Sequence, residues 1–147
     1  MGLERGTGES VLSFSAQLDH HQLELMRSDS PIYVLVVEDE FFSRLHAVNL
    51  VEDAGYKAVE ASNAEEAIAI LEARKDIRIV FTDVDMPGTL DGLKLAHVIR
   101  TRWPPIELIV TSGHFNFSDA DMPERGQFFS KPYRDQEIVS ALQKFAS

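Results

Sequence analysis

The chain has 147 residues, and 44% of them are hydrophobic, which is enough to form the core of one domain. Its 24 Asp and Glu residues outnumber 14 Lys and Arg, and the formal charge of -10 argues against the clustered basic surface that sequence-independent nucleic-acid binding needs. Because there is no cysteine, disulfides, thiolate catalysis and Cys-ligated metals are excluded. No apolar run approaches a membrane span and the N-terminus lacks the pattern of a signal peptide, so we expect a soluble cytoplasmic protein with no membrane partner.

Residues 1–30 differ in composition from the rest of the chain. They begin Gly-rich and end polar, and between these parts apolar residues fall loosely on one helical face that Ser10 could cap. Two interpretations remain open: a disordered leader, or a short amphipathic helix that docks on the domain or on a second copy in a homodimer. We therefore predict a leader over residues 1–30 and one domain over residues 31–147.

Apolar strands alternate with helical patterns along the rest of the chain. The predicted strands are residues 32–37, 56–61, 77–82, 106–110 and 127–130. The predicted helices are residues 41–54 with apolar spacing at Phe42, Leu45, Val48, Leu50 and Val51, a second helix capped by Ser62 or Asn63, residues 91–102, and residues 134–145. Residues 114–126 are rich in Gly, Pro and Asp, so a helix there is short or irregular. This alternation predicts an α/β fold with a doubly wound, five-stranded parallel sheet and helices on both faces.

Polar side chains that can do chemistry follow four of the predicted strands. They are Glu38 and Asp39 after the first strand, Asp83 after the third, Thr111 and Ser112 after the fourth, and Lys131 after the fifth. In a doubly wound sheet these strand ends lie at one edge, near the point where the strand order reverses. The sequence therefore predicts one site built from several strand ends.

Asp83 is the candidate reactive group of that site. Glu38, Asp39 and Asp83 would repel one another unless a cation neutralised them, and oxygen ligands without nitrogen or sulfur donors favour Mg²⁺. Lys131 can hold a carboxylate or phosphoryl oxygen, and the hydroxyl of Thr111 can follow such an oxygen. An aspartate nucleophile, a divalent metal, a lysine and a hydroxyl together predict phosphoryl transfer.

With these residues, the chain from about Pro31 onward resembles the response-regulator receiver domains of two-component signalling, of the single-domain, chemotaxis-regulator-like type. That family has an acidic pair after the first strand, a phospho-acceptor Asp after the third, a Ser or Thr after the fourth and Lys-Pro after the fifth. All four features occur here in order. The resemblance implies a flavodoxin-like (βα)5 fold in three layers.

The resemblance also implies the metal ligands. Asp83 would be the phospho-acceptor. Asp39 and Asp83 would ligate Mg²⁺ directly, together with the main-chain carbonyl of Asp85, and Glu38 would act through water.

It further implies the residues that sense phosphorylation. Thr111 would be the switch hydroxyl and Lys131 the phosphate-binding lysine. The aromatic switch position, three residues before the lysine, holds Phe128.

Three features depart from the family pattern. Asp85 adds a further acid where a neutral side chain is common, and the loop after Asp83, with residues 88–90, is one residue longer than the commonest form. Phe128 lacks the hydroxyl of the usual tyrosine. The weak helical pattern over residues 114–126 falls on a surface that many receivers use for output or dimerisation.

The resemblance implies a signalling module rather than an enzyme. Asp83 would accept a phosphoryl group from a sensor histidine kinase or a histidine phosphotransfer protein, with slow self-dephosphorylation as its remaining activity. Only one helix is predicted after Lys131, so we expect no DNA-binding domain, and output through a downstream protein target or relay.

An enzyme of another class is the alternative. The stretch FTDVDMPGT resembles the nucleophile motif of haloacid-dehalogenase-type phosphatases, in which Asp-x-Asp precedes a small hydroxyl residue and the second Asp is the general acid. The inserted Pro87-Gly88 spoils the spacing from Asp-x-Asp to Thr89, and that motif usually follows the first strand. Glu38 and Asp39 would also have no role. A degenerate receiver that binds partners without phosphorylation is a third, weaker alternative, because the residue set is complete.

Overall fold

The computed structural model describes residues 31–86, 91–113 and 121–145 of the chain. In these ranges the elements in chain order are β1 (Tyr33–Val37), α1 (Phe41–Asp53), β2 (Lys57–Ala61), α2 (Ala64–Ala73), β3 (Ile77–Asp83), α3 (Gly92–Arg102), β4 (Glu107–Ser112), β5 (Gly126–Ser130) and α4 (Asp135–Lys144). The predicted leader, the loop over residues 87–90 and residues 114–120 of the predicted irregular segment lie outside the described residues.

The five strands form one parallel sheet in the order β2-β1-β3-β4-β5. The strand order therefore reverses between β1 and β3, and this is the position where doubly wound proteins bind their ligands. Glu38 follows β1 and Asp83 ends β3, so both acids lie at this point. The predicted fold class is confirmed.

Two apolar cores cover the two faces of the sheet. Buried residues of α2 and α3 pack with one set of strand side chains, and buried residues of α1 and α4 pack with the alternate set. The helical residues of the first core are Ala64, Ala67, Leu71, Leu95, Ala96 and Ile99, and those of the second are Ala47, Leu50, Val51, Ile138, Ala141 and Leu142. This gives three layers, as predicted, with a sheet buried on both sides.

The alternation of side chains along the strands brings the candidate site residues to one face. Side chains two positions apart on a strand point to the same side of the sheet. The pairs that obey this spacing, each with its first member in the α1/α4 core, are Val36 and Glu38, Phe81 and Asp83, Ile109 and Thr111, and Phe129 and Lys131. The site is therefore a continuation of the α1/α4 core beyond the end of its apolar residues.

Backbone hydrogen bonds between neighbouring strands continue one residue beyond the ends of β1 and β5. Glu38 N donates to Ala61 O at 3.1 Å, and Lys131 N donates to Ser112 O at 2.8 Å. The first residue after β1 and the first after β5 are thus hydrogen-bonded to the neighbouring strand, as strand residues are, although each follows its own strand.

The first half of α1 is more exposed than its apolar spacing suggests. Leu50 and Val51 are buried, but Phe42 is 71% and Leu45 45% exposed. Helix α1 starts at the carboxyl edge of the sheet, where Glu40 caps it by accepting hydrogen bonds from Phe42 N at 3.2 Å and Ser43 N at 2.7 Å. Its first turn lies where the sheet ends, so apolar side chains there find no strand to pack on.

The remaining boundaries agree with the sequence to within one or two residues. Helix α1 ends before Gly55, whose φ of 94° is the left-handed conformation that terminates helices. Asn63, one of the two predicted caps, accepts a hydrogen bond from Glu66 N at 2.7 Å. None of the helices in the described ranges combines the length and the apolar composition needed to cross a membrane.

Gly92 allows α3 to start against the backbone of the site. A Cβ at this position would lie 1.8 Å from Asp83 O and 2.8 Å from Val84 Cα, both main-chain atoms. Gly92 N also donates to Val84 O at 3.3 Å. Only a residue without a side chain permits this approach. The start of α3 therefore packs directly against the main chain of Asp83 and Val84.

We predict that Gly92→Ala lowers the free energy of unfolding by about 1–3 kcal/mol, because the backbone must shift to admit a methyl group. Gly113→Ala is the matched control, since its Cβ would only meet Asp85 Oδ2 at 3.8 Å. Urea denaturation of both variants measures the difference. Equal stability of the two variants would contradict the close approach.

Candidate functional site

Three carboxylates meet where the ends of β1 and β3 lie side by side. Glu38, Asp39 and Asp83 each offer a carboxylate oxygen, and these atoms lie within 4.8 Å of one another. Glu38 is 7% and Asp83 4% exposed, whereas Asp39 is open to solvent. Closely spaced oxygen donors that are accessible from one side match the chemistry of a partly hydrated Mg²⁺ ion.

Lys131 supplies the positive charge that these acids need. Its Nζ lies 3.1 Å from Asp83 Oδ2 and 3.6 Å from Glu38 Oε2. Burial disfavours the charged ammonium, but attraction to Asp83, with a smaller contribution from Glu38, outweighs this and raises the pKa of Lys131 above its usual value. The lysine therefore stays charged and holds Asp83 in place.

One positive charge does not neutralise the cluster. Burial first, and then repulsion from Asp83, raise the pKa of Glu38 from 4.5 to about 7. Lys131 and a hydrogen bond from Glu40 N, at 3.3 Å from Glu38 Oε1, oppose this rise only in part. The site consequently has an excess of negative potential, which a further cation would relieve.

The second oxygen of Asp83 and the neighbouring Asp85 link the site to the end of β4. Asp83 Oδ1 accepts a hydrogen bond from Asp85 N at 3.2 Å. The Asp85 carboxylate accepts from Gly113 N at 3.0 Å and from Ser112 Oγ at 3.4 Å. Asp85, unexplained by sequence alone, thus ties the segment after β3 to the segment after β4.

Thr111 and Phe128 occupy different environments. Thr111 is 2% exposed and pairs in register with Asp83 across β3 and β4, and its carbonyl accepts a hydrogen bond from Val84 N at 2.8 Å. Phe128 lies on β5 and is partly exposed. Among the described residues it does not line the cavity over Asp83. The structure therefore brings Thr111, but not Phe128, into the site as it stands.

A cavity of about 580 Å³ opens over Asp83, and the sequence did not reveal its apolar side. Besides the site residues it is lined by Phe42, His46, Ala47, Phe81, Pro132 and Tyr133. One of these could have been found by its spacing, because Phe81 precedes Asp83 by two residues on the same strand. The contributions of α1 depend on tertiary packing and carry no such signal.

We predict that the metal-free protein loses stability as the pH rises from about 4.5 to about 7. In this window Glu38 ionises in the unfolded chain but stays protonated in the folded one, since its folded pKa is raised to about 7. The free energy of unfolding is therefore highest below pH 4.5, where Glu38 is protonated in both states, and reaches its low value above pH 7. The total fall is up to about 3 kcal/mol.

Glu38→Gln removes this titration and isolates it from the other carboxylates. With a chelator present, the variant should gain stability relative to the wild type across the same pH range in urea denaturation. If the free energies of unfolding of the two proteins changed in parallel with pH, Glu38 would not be held neutral in the folded protein.

Comparison with known proteins gives a consistent picture. A family model described as the response regulator receiver domain matches residues 34–143. The nitrogen assimilation regulatory protein NtrX of Azorhizobium caulinodans is 33% identical over 110 residues, which are 72% of this chain and 24% of that protein. The sensor kinase CckA of Brucella abortus is 31% identical over 115 residues, 76% of this chain and 12% of that protein. The chain thus spans a quarter or less of the length of these curated relatives.

Solved structures agree with the sequence relatives. A response regulator receiver domain protein from Clostridium thermocellum superposes with a TM-score of 0.70 at 26% identity, covering 76% of this chain and 91% of the other. The receiver domain of NtrX from Brucella abortus gives a TM-score of 0.67 at 28% identity, covering 76% and 95%. With the family model matched over residues 34–143, the chain belongs to the response regulator receiver domain family of two-component signalling.

Proposed function

We propose that Asp83 of this chain accepts a phosphoryl group from a phosphohistidine on a sensor histidine kinase or a histidine phosphotransfer protein. The observation that carries this assignment is the contact between Lys131 Nζ and Asp83 Oδ2, which are 3.1 Å apart. They lie beside a cluster of three carboxylates that the one ammonium does not neutralise. Asp83 is buried and oriented, yet it lines a cavity that a donor can enter. A merely structural aspartate would not need that opening.

The acids fit a magnesium ion in the roles that the family suggests. Asp39 and Asp83 would ligate it directly with the main-chain carbonyl of Asp85, and Glu38 would act through a bound water. When bound, Mg²⁺ offsets the negative charge of the acids and of the phosphoryl oxygens. Support comes from the raised pKa of Glu38, which reports the negative potential that a cation would relieve.

The chain's own residues each contribute one part of the transfer. A carboxylate oxygen of Asp83 forms the new bond to phosphorus while the bond from phosphorus to the donor nitrogen breaks. Lys131 would exchange part of its attraction to Asp83 for a phosphoryl oxygen. The Thr111 hydroxyl, buried next to Asp83 in register, can turn to the same group.

Phosphorylation of Asp83 would then cause a conformational change that reaches the protein surface. Asp85 joins the segment after β3 to Gly113 at the end of β4, so a change at Asp83 has a short path to residues that follow β4. Phe128, on the neighbouring strand β5, is the proposed aromatic partner of Thr111 in this change. Output through a downstream protein target stays a prediction from the sequence.

We predict that Asp83→Asn abolishes labelling by phosphoramidate in the presence of Mg²⁺, because the amide is not a nucleophile for phosphorus. Asp76→Asn is the matched control, since Asp76 is an exposed aspartate paired with Arg74 and should leave labelling intact. Intact-protein mass spectrometry measures the incorporation. Labelling of the Asp83→Asn protein on another residue would refute the assignment.

The phosphatase alternative predicts a different stoichiometry. An aspartate-nucleophile phosphatase turns over a generic phosphate ester many times with Mg²⁺, whereas the proposed function gives at most one phosphoryl group per chain and negligible ester turnover. Multiple turnovers that depend on Asp83 would favour the phosphatase.

A further inference from the structure

We propose that Arg44 is a positioning residue for the divalent cation, because its guanidinium holds the main chain between Glu38 and Asp39 and thereby directs the Asp39 carboxylate. This inference rests on the proposed function, in which Asp39 ligates the ion directly. Arg44 lies near the start of α1, and its side chain does not line the cavity over Asp83. The residue pattern of the strand ends gave it no role.

The Asp39 carboxylate needs such a support more than the other two acids do. Asp83 is held by Lys131 Nζ at 3.1 Å, and Glu38 accepts a hydrogen bond from Glu40 N at 3.3 Å. The Asp39 side chain is exposed, and no hydrogen bond or ion pair joins it to another residue in the described part of the chain. Its direction is therefore set by the main chain that carries it.

Arg44 contacts that main chain directly. Arg44 Nη1 donates to Glu38 O at 2.9 Å, and this oxygen belongs to the peptide group that joins Glu38 to Asp39. The peptide group before it is held by Glu38 N, which donates to Ala61 O at 3.1 Å. With the peptide groups on both sides of Glu38 restrained, the chain enters Asp39 in one direction. The Asp39 side chain then leaves the backbone on the side of the other acids.

The Arg44 side chain is itself held from three sides. Its Nε donates to Glu60 Oε1 on β2 at 3.1 Å, and only 17% of the side chain is exposed. The guanidinium carbon lies 5.7 Å from the centroid of the Phe41 ring, and Arg44 N donates to Glu40 O at 2.9 Å in the first turn of α1. The guanidinium fork thus joins β2 and α1 to the segment after β1, which a lysine with a single nitrogen would do less rigidly.

The charge of Arg44 would act in the opposite sense to its position. A positive charge near a cation site weakens cation binding, although here the Glu60 carboxylate offsets part of it. Removing the guanidinium for electrostatic reasons alone would therefore tighten cation binding. Removing the support of Asp39 would weaken it, so the sign of the change separates the two effects.

The test measures the dissociation constant for Mn²⁺ on the full chain without a phosphodonor, from the electron paramagnetic resonance signal of the free ion. We predict that Arg44→Met weakens Mn²⁺ binding about tenfold, the usual size of the effect when a group that orients a metal ligand is removed. Methionine keeps a long unbranched stem and forms helices well, so α1 should still form.

Leu45→Gly is the matched control for damage to the helix. Leu45 is the next residue of α1, is 45% exposed and does not line the cavity. Glycine weakens the helix, so urea denaturation should show a loss of stability while the Mn²⁺ affinity stays at the wild-type value.

Unchanged or tighter Mn²⁺ binding in Arg44→Met would overturn the positioning role, and so would an equal weakening in Leu45→Gly. Both results would leave Asp83 as the proposed acceptor. If the wild-type chain binds no Mn²⁺ at all, the metal site of the proposed function fails first.

Discussion

The site depends on repulsion between acids that the fold forces together. Parallel strands β1 and β3 are neighbours, and side-chain alternation turns Glu38 and Asp83 to the same face at their ends, where both are buried. The Lys131 ammonium, 3.1 Å from Asp83, removes part of this repulsion and leaves the rest as a negative potential. The orientation of Asp83, its proposed reactivity and the proposed binding of a cation all follow from that imbalance.

The rest of the domain serves to hold these groups still. Two apolar cores pack on the two faces of the sheet, and backbone hydrogen bonds join Glu38 and Lys131 to neighbouring strands. Gly92 lets α3 pack directly on the main chain of Asp83. Such preorganisation matters in phosphoryl transfer, where positioning and electrostatics supply most of the rate.

The sequence alone could predict the sheet and the polar residues at four strand ends because both follow from local periodicity. Val36 and Glu38, or Phe81 and Asp83, are two residues apart, so an apolar strand also determines where its terminal acid points. The hydrogen bond of the Asp85 side chain was beyond the sequence, because its partner Gly113 is distant in the chain. The exposure of Phe42 was equally hidden, since helical spacing says nothing about where the sheet beneath a helix ends.

The proposed function requires that this acid cluster hold a divalent cation beside the aspartate that accepts the phosphoryl group. The most direct measurement is a crystal structure of the protein with Mn²⁺ in place of Mg²⁺, in which anomalous scattering locates the ion. We expect one strong peak ligated by Asp39, Asp83 and the main-chain carbonyl of Asp85, with Lys131 Nζ still against Asp83. A structure at saturating Mn²⁺ with no peak at these residues, or with the ion bound elsewhere, would contradict it.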